Sequence, residues 1–220
     1  MENVESTKKW SAAIRVNHWM IVISITVLIA TGFYIGRPFS ISAGETMDKF
    51  LMGEIRFLHI FFGILLSILF VWRLYLAFFS RFHADWRDFL AFLDFENFVK
   101  QIKFYALISN EKPEEKYAYA PLQSLAYLGL MVMILFIVIT GLILTGSGYD
   151  KGLISFFYFF VKPFQNVLGL ATVKFIHHIL MWLFILYFLV HVYMAFWTDA
   201  VKKDGTISSM INGLMFEKKK

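Results

Sequence analysis

The sequence predicts an all-α membrane protein, a bundle of four transmembrane helices forming one domain over residues 1–220. Three observations predict it. Of 220 residues, 59% are hydrophobic and 19% aromatic, against the roughly 45–50% apolar content of a soluble domain. Four long apolar runs, at 18–35, 57–79, 122–145 and 175–197, are close to or above the length of about 20 residues that a hydrocarbon core requires. These runs are too long and too uniformly apolar for barrel strands, which leaves the helix as the spanning structure that satisfies its own backbone.

The elements follow in order. The first span comes directly after Lys8, Lys9 and Arg15 without a small-residue cleavage site, so it reads as a retained span and not a signal peptide. A connection from Arg37 to Glu54 carries Pro38 and Gly44 and leads into the second span. The loop 80–121 contains WRDFLAFLDFENFVKQIKFY (Trp86 to Tyr105), whose aromatics and charges recur at helical spacing, as in a helix lying on the membrane surface. After the third span, KGLISFFYFFVKPFQNVLGL (Lys151 to Leu170) is apolar but interrupted by Lys162 and Pro163. It reads as an interfacial helix in preference to a fifth span.

Lys and Arg divide unevenly between the two sides. The N-terminus, the segment from Arg73 through the middle loop, and the C-terminus hold 15 of the 21, and the other two connections hold 6. The positive-inside rule therefore puts both termini and loop 80–121 in the cytoplasm. The net charge of +5 is a topology signal of this kind and not a nucleic-acid footprint, because the cations flank the apolar runs. Cysteine is absent, which excludes disulfides, iron–sulfur clusters and covalently attached c-type haem.

A faint repeat joins the first and third spans, LIATGFYIG (Leu28 to Gly36) and FIVITGLILTG (Phe136 to Gly146). Each brings a Thr-Gly to a similar depth. Glycine weakens a helix, so its use suggests a bulky group against the backbone, with close helix packing as the alternative.

Imidazoles in a membrane span are costly and mark function. His177 and His191 are 14 residues apart; on a helix that is four revolutions less about 40° and a rise of about 21 Å. They share one face at two depths. His178 and His191 diverge by about 140°, so geometry selects His177. His18 lies in the first turn of span one and His191 in the second half of span four, near the cytoplasmic surface; His59 opens span two and His177 opens span four, near the outer surface. Two depth-matched pairs, His18/His191 and His59/His177, form the arrangement of bis-histidine haem b held in a bundle core, so two haem b groups are expected. Zinc would need about four close ligands where each level offers two.

Other residues join this frame. Arg73 stands 14 residues after His59, where it would pair with a haem propionate or else snorkel to the interface. Gly32, 14 after His18, and Gly63, four after His59, would turn a surface without side chains to the outer porphyrin. His178 reads as a hydrogen-bonded neighbour, and His83, beside Arg81 and Trp86, as headgroup-facing.

These residues carry a resemblance that runs almost end to end: RVNHWMIVISITVLIATGFYIGRPF (15–39), FLMGEIRFLHIFFGILLSILFVWRLYLAFF (50–79), YAPLQSLAYLGLMVMILFIVITGLILTG (119–146), HHILMWLFILYFLVHVYMAFWTDAV (177–201) and the tail GTISSMINGL (205–214). NHW, RFLH with a downstream WRLYLAF, and the His-x13-His of the last span are together fairly specific. The chain resembles the cytochrome b subunits of membrane-bound nickel–iron hydrogenases and, more distantly, of formate dehydrogenase. The resemblance implies ligation of two haem b groups by His18, His59, His177 and His191. It also implies a bacterial inner-membrane location and partnership with an iron–sulfur small subunit and a nickel–iron large subunit on the outer face. Electrons would pass from the outer haem to the inner one and on to a membrane quinone near the cytoplasmic side.

A polar quinone-binding residue of the formate dehydrogenase relative corresponds to Ala120 here, which leaves His18, His191 and Gln123 as quinone candidates. The chain has no catalytic residues for hydrogen activation, because no cysteine is present to hold nickel or a cluster. Alternatives in the same class are the anchor of a formate dehydrogenase or thiosulfate reductase, or a free-standing cytochrome b561. From another class, a histidine-lined proton or metal transporter would need broken helices with intramembrane acids, and spans one, three and four carry no acid.

Overall fold

The computed structural model describes residues 4–38, 50–79, 86–105, 108–109 and 119–218. His83 and Gly44 lie outside them. Four helices are long and apolar enough to cross a membrane: α1 (Ala12–Gly36), α2 (Leu51–Phe79), α4 (Pro121–Gly146) and α6 (Leu170–Lys202). With 25 to 33 residues each, they extend over about 37–50 Å at 1.5 Å per residue. That exceeds a hydrocarbon core of about 30 Å, so each helix outruns its predicted span into the more polar flanks. The expected all-α membrane bundle is borne out.

Shorter elements complete the chain. A 3-10 turn (Asp88–Leu93) and helix α3 (Phe95–Tyr105) occupy the loop between α2 and α4. Helix α5 (Leu153–Leu168) has 16 residues, no buried side chain and Pro163 within it. At about 24 Å it is short for a span, as the interruption by Lys162 and Pro163 suggests. Gly169, at φ +76°, separates it from α6. Helix α7 (Thr206–Asn212) precedes a C-terminal strand β2 (Leu214–Lys218), which pairs antiparallel with the N-terminal strand β1 (Val4–Lys8) in the register Val4 opposite Lys218 and Lys8 opposite Leu214.

The chain divides into two compact units, each built from parts of all four long helices: residues 1–16, 72–134 and 185–220, and residues 17–71 and 135–184. In the first unit, Trp10, Ile14, Leu76 and Tyr119 are buried together, with Trp72, Phe89 and Met210 packed on them. Ser11 caps α1 by accepting the Ile14 N–H at 3.3 Å. Gln101 of α3 accepts the Leu122 N–H at 2.7 Å. That bond satisfies a donor at the start of α4, where Pro121 has no N–H to satisfy. Asn97 and Gln101, one turn apart, are both buried, so α3 turns polar side chains inward as well as charges outward.

The two chain ends are tied by more than the strand pair. Gly213 carbonyl accepts the Lys9 and Trp10 N–H groups at 2.9 and 3.3 Å, and the Arg15 guanidinium donates to the Ile211 carbonyl. Gly213 terminates α7 at φ +85°, and a Cβ there would stand 2.8 Å from the Trp10 carbonyl oxygen. Position 213 therefore requires glycine twice over, for its backbone and for its neighbour.

In the second unit, Asn17 is buried and donates to the Leu69 carbonyl at 2.9 Å, fastening α1 to α2. Gly146 meets Tyr158 so closely that a Cβ would fall 2.5 Å from the tyrosine Cβ, which holds the first turns of α5 against the end of α4.

Gly213→Ala is expected to destabilise the first unit by about 1–3 kcal/mol, read as a lower thermal unfolding midpoint of the detergent-solubilised chain. An unchanged midpoint would show that the terminal strands contribute little.

Candidate functional site

The N-terminal halves of α2 and α6 carry the histidines that the structure brings together. The His59 and His177 rings lie with centroids 6.3 Å apart and planes inclined at 61°. Each is held from behind by a hydroxyl from a third or fourth helix. Thr31 Oγ1 of α1 lies 2.8 Å from His59 Nδ1, and Thr140 Oγ1 of α4 lies 2.8 Å from His177 Nδ1. Both threonines are 5% exposed.

Both hydroxyls also reach the backbone of their own helices. Thr31 donates to the Val27 carbonyl at 2.7 Å, with Leu28 at 3.2 Å; Thr140 donates to Phe136 at 2.8 Å, with Ile137 at 3.1 Å. A hydroxyl has one proton. With that proton on the helix backbone, each threonine oxygen can accept from its histidine, the arrangement in which Nδ1 carries the imidazole hydrogen and Nε2 keeps its lone pair.

The glycine that follows each threonine completes the motif. A Cβ at Gly32 would lie 3.5 Å from His59 Cε1, and a Cβ at Gly141 would lie 3.5 Å from His177 Cε1. The repeat seen in sequence is thus one local device used twice: threonine on the imidazole nitrogen, glycine against the ring edge. In the sequence the repeat points to its glycines; the part played by the hydroxyls emerges only where the histidines stand opposite. The signal available was the equal depth of Thr31 with His59 and of Thr140 with His177.

His178 points elsewhere. Its Nδ1 bonds the Lys174 carbonyl at 2.9 Å, and its Nε2 lies 3.0 Å from where a Gly36 Cβ would stand. The adjacent histidines therefore face different helices, as the 100° step per residue requires.

The remaining candidates are placed as follows. His18 makes an edge contact with Trp19, centroids 5.3 Å apart, and His191 stacks on Tyr187 at 5.7 Å. The two fall in different units of the chain, so their pairing rests on the spacing argument. Arg73 is 4% exposed, its guanidinium 5.0 Å from the Phe89 ring centre and 5.2 Å from that of Tyr127, a doubly cation–π arrangement. An arginine so enclosed does not snorkel to the interface. The Tyr119 hydroxyl beside it is pushed above the usual tyrosine range, first by burial and then by Tyr127, with Arg73 opposing. Among the described residues, nothing stands within 4 Å of a Cβ built on Gly63. Gln123 is exposed, and Ala120 is partly buried.

A sequence profile described as prokaryotic cytochrome b561 matches residues 9–213. The chain belongs to the prokaryotic cytochrome b561 family. This cytochrome is also similar, over most of its length, to proteins named as probable Ni/Fe-hydrogenase B-type cytochrome subunits. The relative in Rhodobacter capsulatus is 31% identical over 225 residues, covering 96% of this chain and 84% of the relative. That in Azotobacter vinelandii is 34% identical over 212 residues, covering 93% and 86%. That in Escherichia coli K12 is 29% identical over 220 residues, covering 96% and 92%.

A b-type cytochrome holds haem without covalent thioether links, in keeping with a chain that has no cysteine. The donor set fits. His59 and His177 offer two facing imidazoles, each with a threonine hydroxyl on Nδ1, and a hydrogen-bond partner on the other ring nitrogen is the usual accompaniment of a metal-ligating histidine. Among the described residues, no three His, Cys, Asp or Glu side chains converge as a metal site.

Replacing His59 or His177 by alanine is expected to remove the same haem, read as an equal fall in haem per chain by the pyridine haemochrome assay. His178→Ala should keep the wild-type haem content. Loss of haem in His178→Ala with retention in His177→Ala would reverse the assignment.

Proposed function

We propose that this cytochrome is the dihaem membrane subunit of a respiratory uptake hydrogenase, carrying electrons from the hydrogenase to membrane quinone. The observation that carries the reading is the His59–His177 pair, each ring held by a buried threonine so that Nε2 is the available donor. The names of the relatives support the partner. Haem b would supply one-electron exchange between ferric and ferrous iron.

The chain's own residues supply placement. His59 and His177 hold the outer haem, and His18 and His191 the inner one. Arg73 neutralises a propionate, and Gly32 and Gly63 keep side chains away from the outer macrocycle. On the outer face the cytochrome receives electrons from the iron–sulfur small subunit, which is itself served by the nickel–iron large subunit. Near the cytoplasmic side His18, His191 and Gln123 border the quinone. The whole chain, 1–220, acts as one domain in the bacterial inner membrane with both termini in the cytoplasm. The excess of Lys and Arg on the side of the termini and middle loop supports this orientation.

A redox titration of the purified chain is expected to resolve two b-type components. In membranes that also contain the hydrogenase, hydrogen should reduce both, and His177→Ala should abolish the reduction of quinone by hydrogen. A purified chain without extractable haem or a reduced b-type band would refute the proposal.

A further inference from the structure

The repeated Thr-Gly segment has a consequence that ligation by histidine does not by itself contain. Free imidazole has two neutral tautomers, and only the one with hydrogen on Nδ1 presents a lone pair at Nε2. Nothing on α2 or α6 alone selects it. The selection comes from α1 and α4, across helix contacts within the second unit. Both threonines surrender their proton to the carbonyl four residues earlier, a bond that serine and threonine commonly make in helices. Both are nearly free of solvent contact, so water does not compete for the imidazole hydrogen.

We infer that Thr31 and Thr140 are positioning residues that fix the Nδ1–H tautomer and ring orientation of His59 and His177, and thereby set the electron density those rings deliver to iron. This rests on the haem reading of the pair. An acceptor on Nδ1–H increases the basicity of the ligating nitrogen. More basic axial ligands favour the ferric state, so the two hydroxyls hold the midpoint potential of this one haem below the value that the same histidines would give unassisted. Neither threonine touches the iron, and each acts through its histidine.

The symmetry sharpens the case. One hydroxyl beside one histidine is common in a membrane helix, where a polar group finds whatever partner is near. Here two helices of the bundle place the same dipeptide against the two facing histidines. The distances agree for both the hydrogen bond, 2.8 Å, and the glycine approach, 3.5 Å.

The test compares valine and serine variants in the intact membrane protein. Thr→Val keeps the shape and removes the hydroxyl; Thr→Ser keeps the hydroxyl and removes a methyl. Thr31→Val and Thr140→Val are each expected to raise the midpoint potential of one b-type component and leave the other unmoved. They should also alter the g-value spread of one low-spin ferric signal and weaken retention of that haem by about 10–100-fold. The serine variants should match the wild type in all three. The two positions are read separately, and either alone decides if the other variant fails to accumulate. Valine variants with wild-type potentials and spectra, or serine variants as disturbed as the valine ones, overturn the inference while the haem reading stands. Absence of b-type haem from the wild type overturns both.

Discussion

The hydroxyl of a helix-borne threonine has one proton, and in a low-dielectric interior that proton goes to the carbonyl one turn back. What remains is an acceptor pointing sideways out of the helix. The His59–His177 pair depends on this constraint. Thr31 and Thr140 cannot donate twice; with the proton on the helix carbonyl they accept, and His59 and His177 donate through Nδ1. The orientation of the two imidazoles thus follows from backbone hydrogen bonding in two other helices. It also explains the glycines that follow. With Gly32 and Gly141 the helix surface beside each threonine has no side chain, and the imidazole edge reaches it at 3.5 Å from an imagined Cβ.

A different polar problem is solved in the unit that holds both chain ends. Arg73 is a buried cation in a transmembrane helix, and its charge is met by the faces of Phe89 and Tyr127 and by the Tyr119 and Tyr127 hydroxyls. The rings are themselves stacked, Phe89 on Tyr127 at 4.8 Å and Tyr119 on Tyr127 at 5.4 Å, with Trp10 on Tyr119 at 5.8 Å. Through Trp10 this cluster meets the strap formed by the two terminal strands, whose junction at Gly213 accepts the Trp10 N–H. A membrane-embedded arginine and the chain termini therefore belong to one packed body.

Much of this was legible one residue at a time. The four spans follow from length and apolar content, and the choice of His177 over His178 follows from angular spacing, because each helix is a rigid ruler whose step is known. The strands were not legible: Val4 to Lys8 and Leu214 to Lys218 are short, lie at opposite ends of the chain, and acquire a partner only when the fold brings the ends together. The stretch Trp86 to Tyr105 reads as a surface helix from its mixed composition. Its buried Asn97 and Gln101 are polar residues serving a neighbour, the open end of α4, and periodicity does not report a neighbour's need. The Thr-Gly repeat lies between these cases, visible as a pattern but without its purpose, since the acceptor role of a hydroxyl depends on what stands opposite.

By itself the sequence determined that the chain is a cysteine-free bundle of four membrane helices, with His177 and His191 on one face of the last. Those properties depend on composition and on the regular geometry of single helices, and both are local. Only the tertiary structure decided which nitrogen of His59 and His177 is available, where the Arg73 charge is met, and that the termini form a strap. Each of these is a contact between helices or strands distant in sequence, and the hydrogen-bond direction that defines it exists only once the partners are side by side.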